Sequence, residues 1–291
     1  MVDYLIYLMV GASNGALYAL IALGLVLVYK TQNFVPFVNG EFFTVGAFAA
    51  FALFKTMQLP FAVAVTVAIA LGALVALVCE RVVVRPIASD HHLSLVMATL
   101  GASIFLPGIV RVRYGDDIYT FPPLFGGASI DIGGVPVAIQ NIVIVGTTVV
   151  LTGALFAFFR YASLGKQIRA VSQSLVGAQI VGIAPGHVYR TTWALSGAIG
   201  ALAGVLAAPI TLLYPDVGAE FLLKGFAAAI LGGLTSIPGA IVGGFAIGIV
   251  EMLVGGFVGT VFIKISAFVV IMVVLLIKPT GLFGARTIRR V

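Results

Sequence analysis

Long runs dominated by apolar residues follow one another along the chain, separated by short polar breaks. A helix needs about 20 predominantly apolar residues to cross a bilayer. The pattern predicts seven such spans, at residues 4–29, 60–79, 93–110, 139–159, 191–213, 240–254 and 261–277. Two further stretches are less regular. Residues 34–54 are interrupted by Pro36, Asn39, Gly40 and Glu41, and residues 221–234 are short and carry Lys224 and a Gly-Gly pair. Counting both gives about nine crossings, or eight if one is re-entrant. The first apolar run lacks a basic n-region and is too long for a cleaved signal, so it is read as a retained span.

The polar breaks set an orientation. Lys30, Arg81, Arg85, Arg160, Lys166, Arg169, Arg190, Lys278, Arg286, Arg289 and Arg290 fall on one side, and Lys55, Arg111, Arg113, Lys224 and Lys264 on or near the other. The positive-inside rule makes the richer side cytoplasmic. The N-terminus is then outside and the C-terminus inside. Two loops stand out: 111–138 outside, rich in Asp and Pro, and 160–187 inside. Within the second, Ile168, Val171, Leu175 and Ala178 recur at helical spacing across residues 163–183, which predicts one amphipathic helix stopped by Gly182 with Pro185 beyond. Two roles fit it: a helix lying on the membrane, or a rigid element for a cytoplasmic partner to push. No separate soluble domain is visible, so 1–291 is read as one transmembrane domain.

Composition agrees with this reading. Of 291 residues 61% are hydrophobic and 9% charged, with a mean hydropathy of +1.20. Soluble domains are about 45–50% apolar and about 25% charged. An ordinary soluble enzyme, a disordered chain and a disulfide-stapled domain are excluded. The net charge of +6 belongs to the membrane flanks rather than to nucleic acid. The small-xxx-small pairs Gly11/Gly15, Gly200/Gly204, Gly244/Gly248 and Gly255/Gly259 point to close helix packing.

Ionisable residues at membrane depth are functional candidates, because burying charge is costly. Glu41 follows Pro36, Asn39 and Gly40, where a continuous helix is disfavoured. Asn39 can cap the next helix with Glu41 in its first turn, or the broken segment can line a passage. A second irregular stretch, with Gly232, Gly233, Ser236 and Pro238, precedes another apolar run. Two interrupted segments, one per half, point to a transport pathway. Glu251 fits a cap, a partner for Lys264 or a pathway residue. Glu80, beside Arg81, reads as an interfacial anchor. Asn14 and Tyr18 share a helical face and either line a path or bond a neighbouring helix.

Recognisable catalytic or metal chemistry is missing. There is no HExxH, CxxC or GxxxxGK[ST] pattern, and His91, His92, His187 and Cys79 are too scattered for a metal cage. Neither catalytic nor metal-ligating residues are expected. Without a Walker motif, any ATP-driven pumping requires a partner. Few ionisable groups lie deep in the spans, which speaks against an ion-coupled carrier, and no TVGYG-like filter suggests a channel.

Five segments in order resemble one family. They are the opening span from Gly15 to Leu25, Asn33 to Gly46 (N-F-x-x-x-x-x-G-E-F-x-x-x-G), the RA…A…GI loop from Arg169 to Ile183, Leu231 to Gly244 (GGxxSIPGAxxGG), and the closing Lys278-Pro279-Thr280-Gly281-Leu282-Phe283-Gly284. The chain resembles the permease subunits of branched-chain amino acid ABC importers, LivH type. The resemblance implies an all-α polytopic membrane bundle of about 8–9 segments with broken or re-entrant helices, in a bacterial inner membrane. It implies a second homologous permease, two cytoplasmic ATPases that use ATP and Mg, a periplasmic binding protein, and no cofactor in this chain. Arg169, Ala170, Leu175, Ala178, Gly182 and Ile183 would belong to the coupling helix. Asn14, Tyr18, Asn39, Gly40, Glu41, Ser236 and Glu251 are the pathway candidates. Asn39 stands where the family usually has His or Gln, and Thr235 where Gly is common. Relatives also import urea, short amides and carboxylic acids, so these substrates stay open. A stand-alone ion-coupled transporter is the alternative of another class, and an integral membrane enzyme a third.

Overall fold

A computed structural model describes residues 2–87, 92–123, 127–131, 136–278 and 280–284. His91, Pro279 and the basic tail with Arg286, Arg289 and Arg290 lie outside the described residues, as does the side chain of Lys264. The helices are α1 (Val2–Gln32), α2 (Asn39–Phe51), α3 (Phe61–Cys79), α4 (His92–Tyr114), α5 (Ile139–Tyr161), α6 (Ser163–Gln173), α7 (Leu175–Ile180), α8 (Pro185–Ala207), α9 (Val217–Gly232), α10 (Ile237–Phe257) and α11 (Ile263–Ile277). All but α6 and α7 pack against one another in one bundle. Five described stretches, built on α1, α3, α4, α5 and α10, are long and apolar enough to cross a membrane on length and composition alone.

The bundle is organised around α1. Every residue from 15 to 28 is buried, and α10, α8, α9 and α5 pack around it. A helix that is apolar on all faces needs protein or lipid on all faces, and α1 finds protein. By contrast α3, α4, α5 and α11 leave rows of Val, Leu, Ile and Phe exposed, as at Leu74, Phe105, Val150 and Met272. Those rows suit lipid or another apolar chain.

Glycine brings α1 and α10 together. A Cβ on Gly15 would lie 2.7 Å from the Phe245 Cα, and one on Gly11 would lie 2.8 Å from the Ile249 Cα. Gly244 and Gly248 face the same crossing from α10. The close backbone approach replaces the hydrophobic drive that lipid cannot supply.

Several boundaries differ from the sequence reading. The expected span 191–213 begins earlier, with Pro185 in the first turn of α8, and ends at Ala207. Pro209 cannot continue the helix. Leu212–Leu213 instead form β4, antiparallel to β1 (Tyr119–Thr120), with Tyr119 opposite Leu213. A second ribbon pairs β2 (Ser129–Asp131) with β3 (Pro136–Ala138). The expected all-α fold therefore carries two small ribbons, both involving the 111–138 region. Arg111 and Arg113, expected in that loop, sit in the last turn of α4. Residues 34–54 become a helix only from Asn39, and a π-helical turn, Ala52–Thr56, prolongs it.

The expected single amphipathic helix over 163–183 is two helices. Ser174 is extended (φ −156°, ψ 114°), and its hydroxyl accepts from the Gly177 N–H, capping α7. A serine side chain can satisfy the backbone better at a helix start than in mid-helix. The break redirects the second half, so Ile168, Val171 and Ala178 are buried while Leu175 is exposed.

Candidate functional site

The first interrupted segment ends in a polar pin. Val38, not Asn39, occupies the cap position of α2, and no side chain caps it. Asn39 already lies in the helix, and its amide reaches sideways. Nδ2 donates to the Ile21 carbonyl at 3.3 Å. The Ser196 hydroxyl donates to Asn39 Oδ1 at 2.5 Å, with the Gly24 carbonyl 3.0 Å away. Asn39 and Ser196 are completely buried. This group ties α2 and α8 to the middle of α1. Three helices meet there because Gly24 leaves room: a Cβ at Gly24 would lie 3.0 Å from Asn39 Nδ2.

Glu41 turns the other way, toward α9. Thr44 Oγ1 donates to Glu41 Oε2 at 3.1 Å and accepts from the Gly218 N–H at 3.1 Å. Gly40 lies over the same crossing, where a Cβ would be 2.6 Å from the Gly218 carbonyl oxygen. Gly40 thus permits a close α2–α9 approach, and Glu41 is 2% exposed beside it.

The second interrupted segment is a helix junction. Gly233 takes φ +100°, a backbone state that favours glycine. The Ser236 hydroxyl accepts from the Gly239 N–H at 3.1 Å, capping α10, with Pro238 in the first turn. The closing segment docks on this junction. The Leu282 and Phe283 N–H groups donate to the carbonyls of Leu231 and Gly232 at 2.8 and 2.9 Å. They satisfy acceptors that the end of α9 would otherwise leave open.

A charged cluster joins α1, α9 and α10. Lys224 Nζ donates to Glu251 Oε1 at 2.6 Å and to the Tyr18 hydroxyl oxygen at 3.0 Å. Glu251 and Tyr18 are each 2% exposed, and the Lys224 side chain is 28% exposed. Of the three sequence readings of Glu251, the structure presents a buried partner, but to Lys224. Lys224 was visible only as a disruption of a short apolar stretch. Its distance of 27 positions from Glu251 gives no local signal of pairing. Asn14, one turn before Tyr18, is half-buried on the same face of α1.

Glu80 is 4% exposed, in the π-helical turn Glu80–Val84, while Arg81 faces outward; the flank charges Arg190, Arg85 and Arg81 act on its carboxylate from the span end.

The α6–α7 elbow presents the candidate docking face. Arg169 is exposed on α6, Ala170 and Ile183 are half-buried, and Ala178 is buried beneath α7. Gly182 ends α7 with φ +81°, and the Ile183 N–H donates back to the Ala178 carbonyl at 2.9 Å. Outward from this turn stand Leu175, Val176, Ile180 and Val181, all exposed. Val176, Ile180 and Val181 were not singled out in the sequence; the helix break at Ser174 decides their direction.

At the opposite end of the bundle, Arg111 of α4 pairs with Asp116 at 2.6 Å and with Asp216, just ahead of α9. Lys55 donates to the Thr120 carbonyl at 3.2 Å. The β1–β4 ribbon lies in the same group. Among the described residues, no cluster of three or more His, Cys, Asp or Glu is placed to hold a metal ion.

Comparison with known proteins adds the lineage. Residues 7–278 match the family described as branched-chain amino acid transport system / permease component. The chain is 30% identical to the high-affinity branched-chain amino acid transport system permease protein LivH of Escherichia coli K12, over 97% of this chain and 96% of the relative. It is 29% identical to the corresponding permease protein BraD of Pseudomonas aeruginosa, over 99% and 98%. Among solved structures it is similar to PsaBC from Streptococcus pneumoniae in complex with Fab, with a TM-score of 0.50 and 14% identity over 95% of this chain and 92% of that one. With five ordered motifs and a match along almost its whole length, this multi-pass membrane chain belongs to the branched-chain amino acid transport permease family.

Proposed function

We propose that this chain is a permease subunit of an ATP-driven importer and passes branched-chain amino acids across the inner membrane. The near full-length match to permeases named for branched-chain amino acid transport carries this reading. The chain associates with a second homologous permease, two cytoplasmic ATPases and a binding protein that delivers substrate from outside. ATP and Mg act on the ATPases, not on this chain.

The coupling surface is the α6–α7 elbow. Three exposed apolar side chains on a short capped helix, with Val181 just beyond it, suit a groove on an ATPase better than water. The packing of Ile168, Val171 and Ala178 beneath them makes the elbow rigid enough to transmit a push. The charge asymmetry of 11 against 5 basic residues supports a cytoplasmic position for this end, with the N-terminus outside and the C-terminus inside.

Of the pathway candidates, Tyr18 and Glu251 belong with Lys224 to the polar face that substrate passes. Asn14 continues that face. Asn39, Gly40, Glu41 and Ser236 hold the helices that shape it. The test is mild detergent purification of the tagged chain from its native membrane, with mass spectrometry of its companions, followed by leucine uptake in proteoliposomes. Two ATPases, a second permease and ATP-dependent leucine uptake are expected. A chain that comes out alone and moves leucine on an ion gradient would overturn the reading in favour of the secondary transporter.

A further inference from the structure

One face of α9 carries charge. Glu220, Leu223, Lys224 and Ala227 recur at i, i+3, i+4 and i+7, so they share that face. Glu220 and Leu223 are exposed and Lys224 is half-buried. A carboxylate and an ammonium on an outer face, in a chain with so few charges, call for water or a polar guest rather than hydrocarbon. Across from this face stand Ala267 and Phe268 of α11. The two helices border an open cavity of about 180 Å³ lined by those six residues. Pockets for drug-sized ligands run to about 300–1,000 Å³, so this one suits a much smaller molecule.

The cavity has two chemistries. At one edge Glu220 and Lys224 offer charges of opposite sign one helical turn apart. Behind Lys224 lies Glu251, and its second oxygen, Oε2, is buried with no hydrogen-bond partner among the described residues. Lys224 uses two of its three N–H donors on Tyr18 and Glu251 and keeps one. The remaining wall, Leu223, Ala227, Ala267 and Phe268, is apolar.

We infer that this α9–α11 cavity is a transit site for one zwitterionic α-amino acid, with Lys224 taking its carboxylate, Glu220 its ammonium and the apolar wall its aliphatic side chain. The inference rests on the permease reading and names the substrate-contacting residues within it. Lys224 is held between Tyr18 and Glu251, so its charge is oriented before substrate arrives. A molecule lacking either charge gives up one of the two charge-assisted contacts and is disfavoured for that reason, although Lys224 keeps Tyr18 and Glu251, and Glu220 keeps Tyr214, in its absence. The site is shallow and half-open, as a site that must release its cargo requires.

The test uses the assembled complex with its binding protein in proteoliposomes. Leucine uptake by the unaltered complex establishes the permease reading first; its failure sinks that reading independently. Glu220→Gln, outside the buried pair, is then expected to lower uptake at limiting leucine by about tenfold while binding-protein-stimulated ATP hydrolysis persists. Lys224→Arg keeps the charge and retains most uptake; Lys224→Met loses it. Leu223→Cys and Phe268→Cys, in a Cys79→Ala background, are expected to react with a charged, membrane-impermeant thiol reagent, and several-fold more slowly with saturating leucine. Unchanged uptake in Glu220→Gln and Lys224→Met overturns the inference. So does a Leu223→Cys thiol that is inert to the charged reagent, because it would then face lipid or packed protein.

Discussion

Lys224 and Glu251 form an ion pair that neither residue could form with its neighbours in sequence. Removing one partner of a buried pair leaves a charge without compensation, at a cost of about 3–5 kcal/mol. Because the Lys224 side chain keeps 28% exposure, the lower end of that range applies. Glu251→Leu is therefore expected to lower the thermal midpoint of the purified complex clearly, and Lys224→Met combined with Glu251→Leu to recover most of the loss. A double variant as unstable as the single one would show that Glu251 acts through something other than Lys224. Gly15 is a residue of the opposite kind, defined by what it lacks. Gly15→Leu forces α1 from α10, since even a Cβ would lie 2.7 Å from the Phe245 Cα. Loss of folded protein on size-exclusion chromatography is the expected result, whereas the same change at Gly146, where a Cβ meets nothing within 4 Å, is expected to be tolerated.

Among the elements, the α6–α7 elbow separates packing from docking. Ala178 is buried and Ile180 is exposed, although they are two positions apart on one short helix. Ile180→Glu is expected to weaken ATPase co-purification by about tenfold with the permease intact, as for a central apolar anchor. Ala178→Glu is expected to lower the amount of folded permease as well, because the carboxylate has to enter the core. Equal recovery of ATPase with both variants would remove α7 from the interface. Gly182→Pro tests the turn itself: φ +81° is outside the range of a proline ring. The apolar spacing of Ile168, Val171, Leu175 and Ala178 was readable as an amphipathic pattern, but it predicted one continuous helix. Ser174 breaks it because its hydroxyl caps the Gly177 N–H, and a single-residue choice between capping and helix propagation is not encoded in periodicity.

For the molecule as a whole, orientation is the property to measure. Met57 lies between α2 and α3 at the end that carries Lys55 and Thr120, and Val176 lies on the elbow at the other end; both are exposed. Met57→Cys in intact cells is expected to react with an impermeant thiol reagent, and Val176→Cys only after the inner membrane is opened. The reverse pattern would invert the topology and place the elbow where no ATPase can reach it.

Composition and the succession of apolar runs were enough to establish a polytopic helical membrane protein, because insertion depends on the summed transfer of about 20 residues and tolerates their order. The ordered motifs around Asn39, Arg169, Ser236 and Thr280 were enough to establish the family, since each is a local stretch with a recognisable pattern. What those motifs do was decided only by tertiary structure. Asn39 was legible as a cap or a pathway residue, and the structure makes it a cross-helix pin to Ser196, 157 positions away. Thr280 to Gly284 was legible as a motif and proved to close the end of α9. Glu80 was legible as an anchor at a span end, and its burial there was not. Lys224 and Glu251 were legible separately, and their pairing was not. In a chain whose helices are apolar on nearly every face, periodicity no longer says which face meets which neighbour. That information resides in backbone approach at small residues and in long-range polar pairs, and both exist only once the helices have packed.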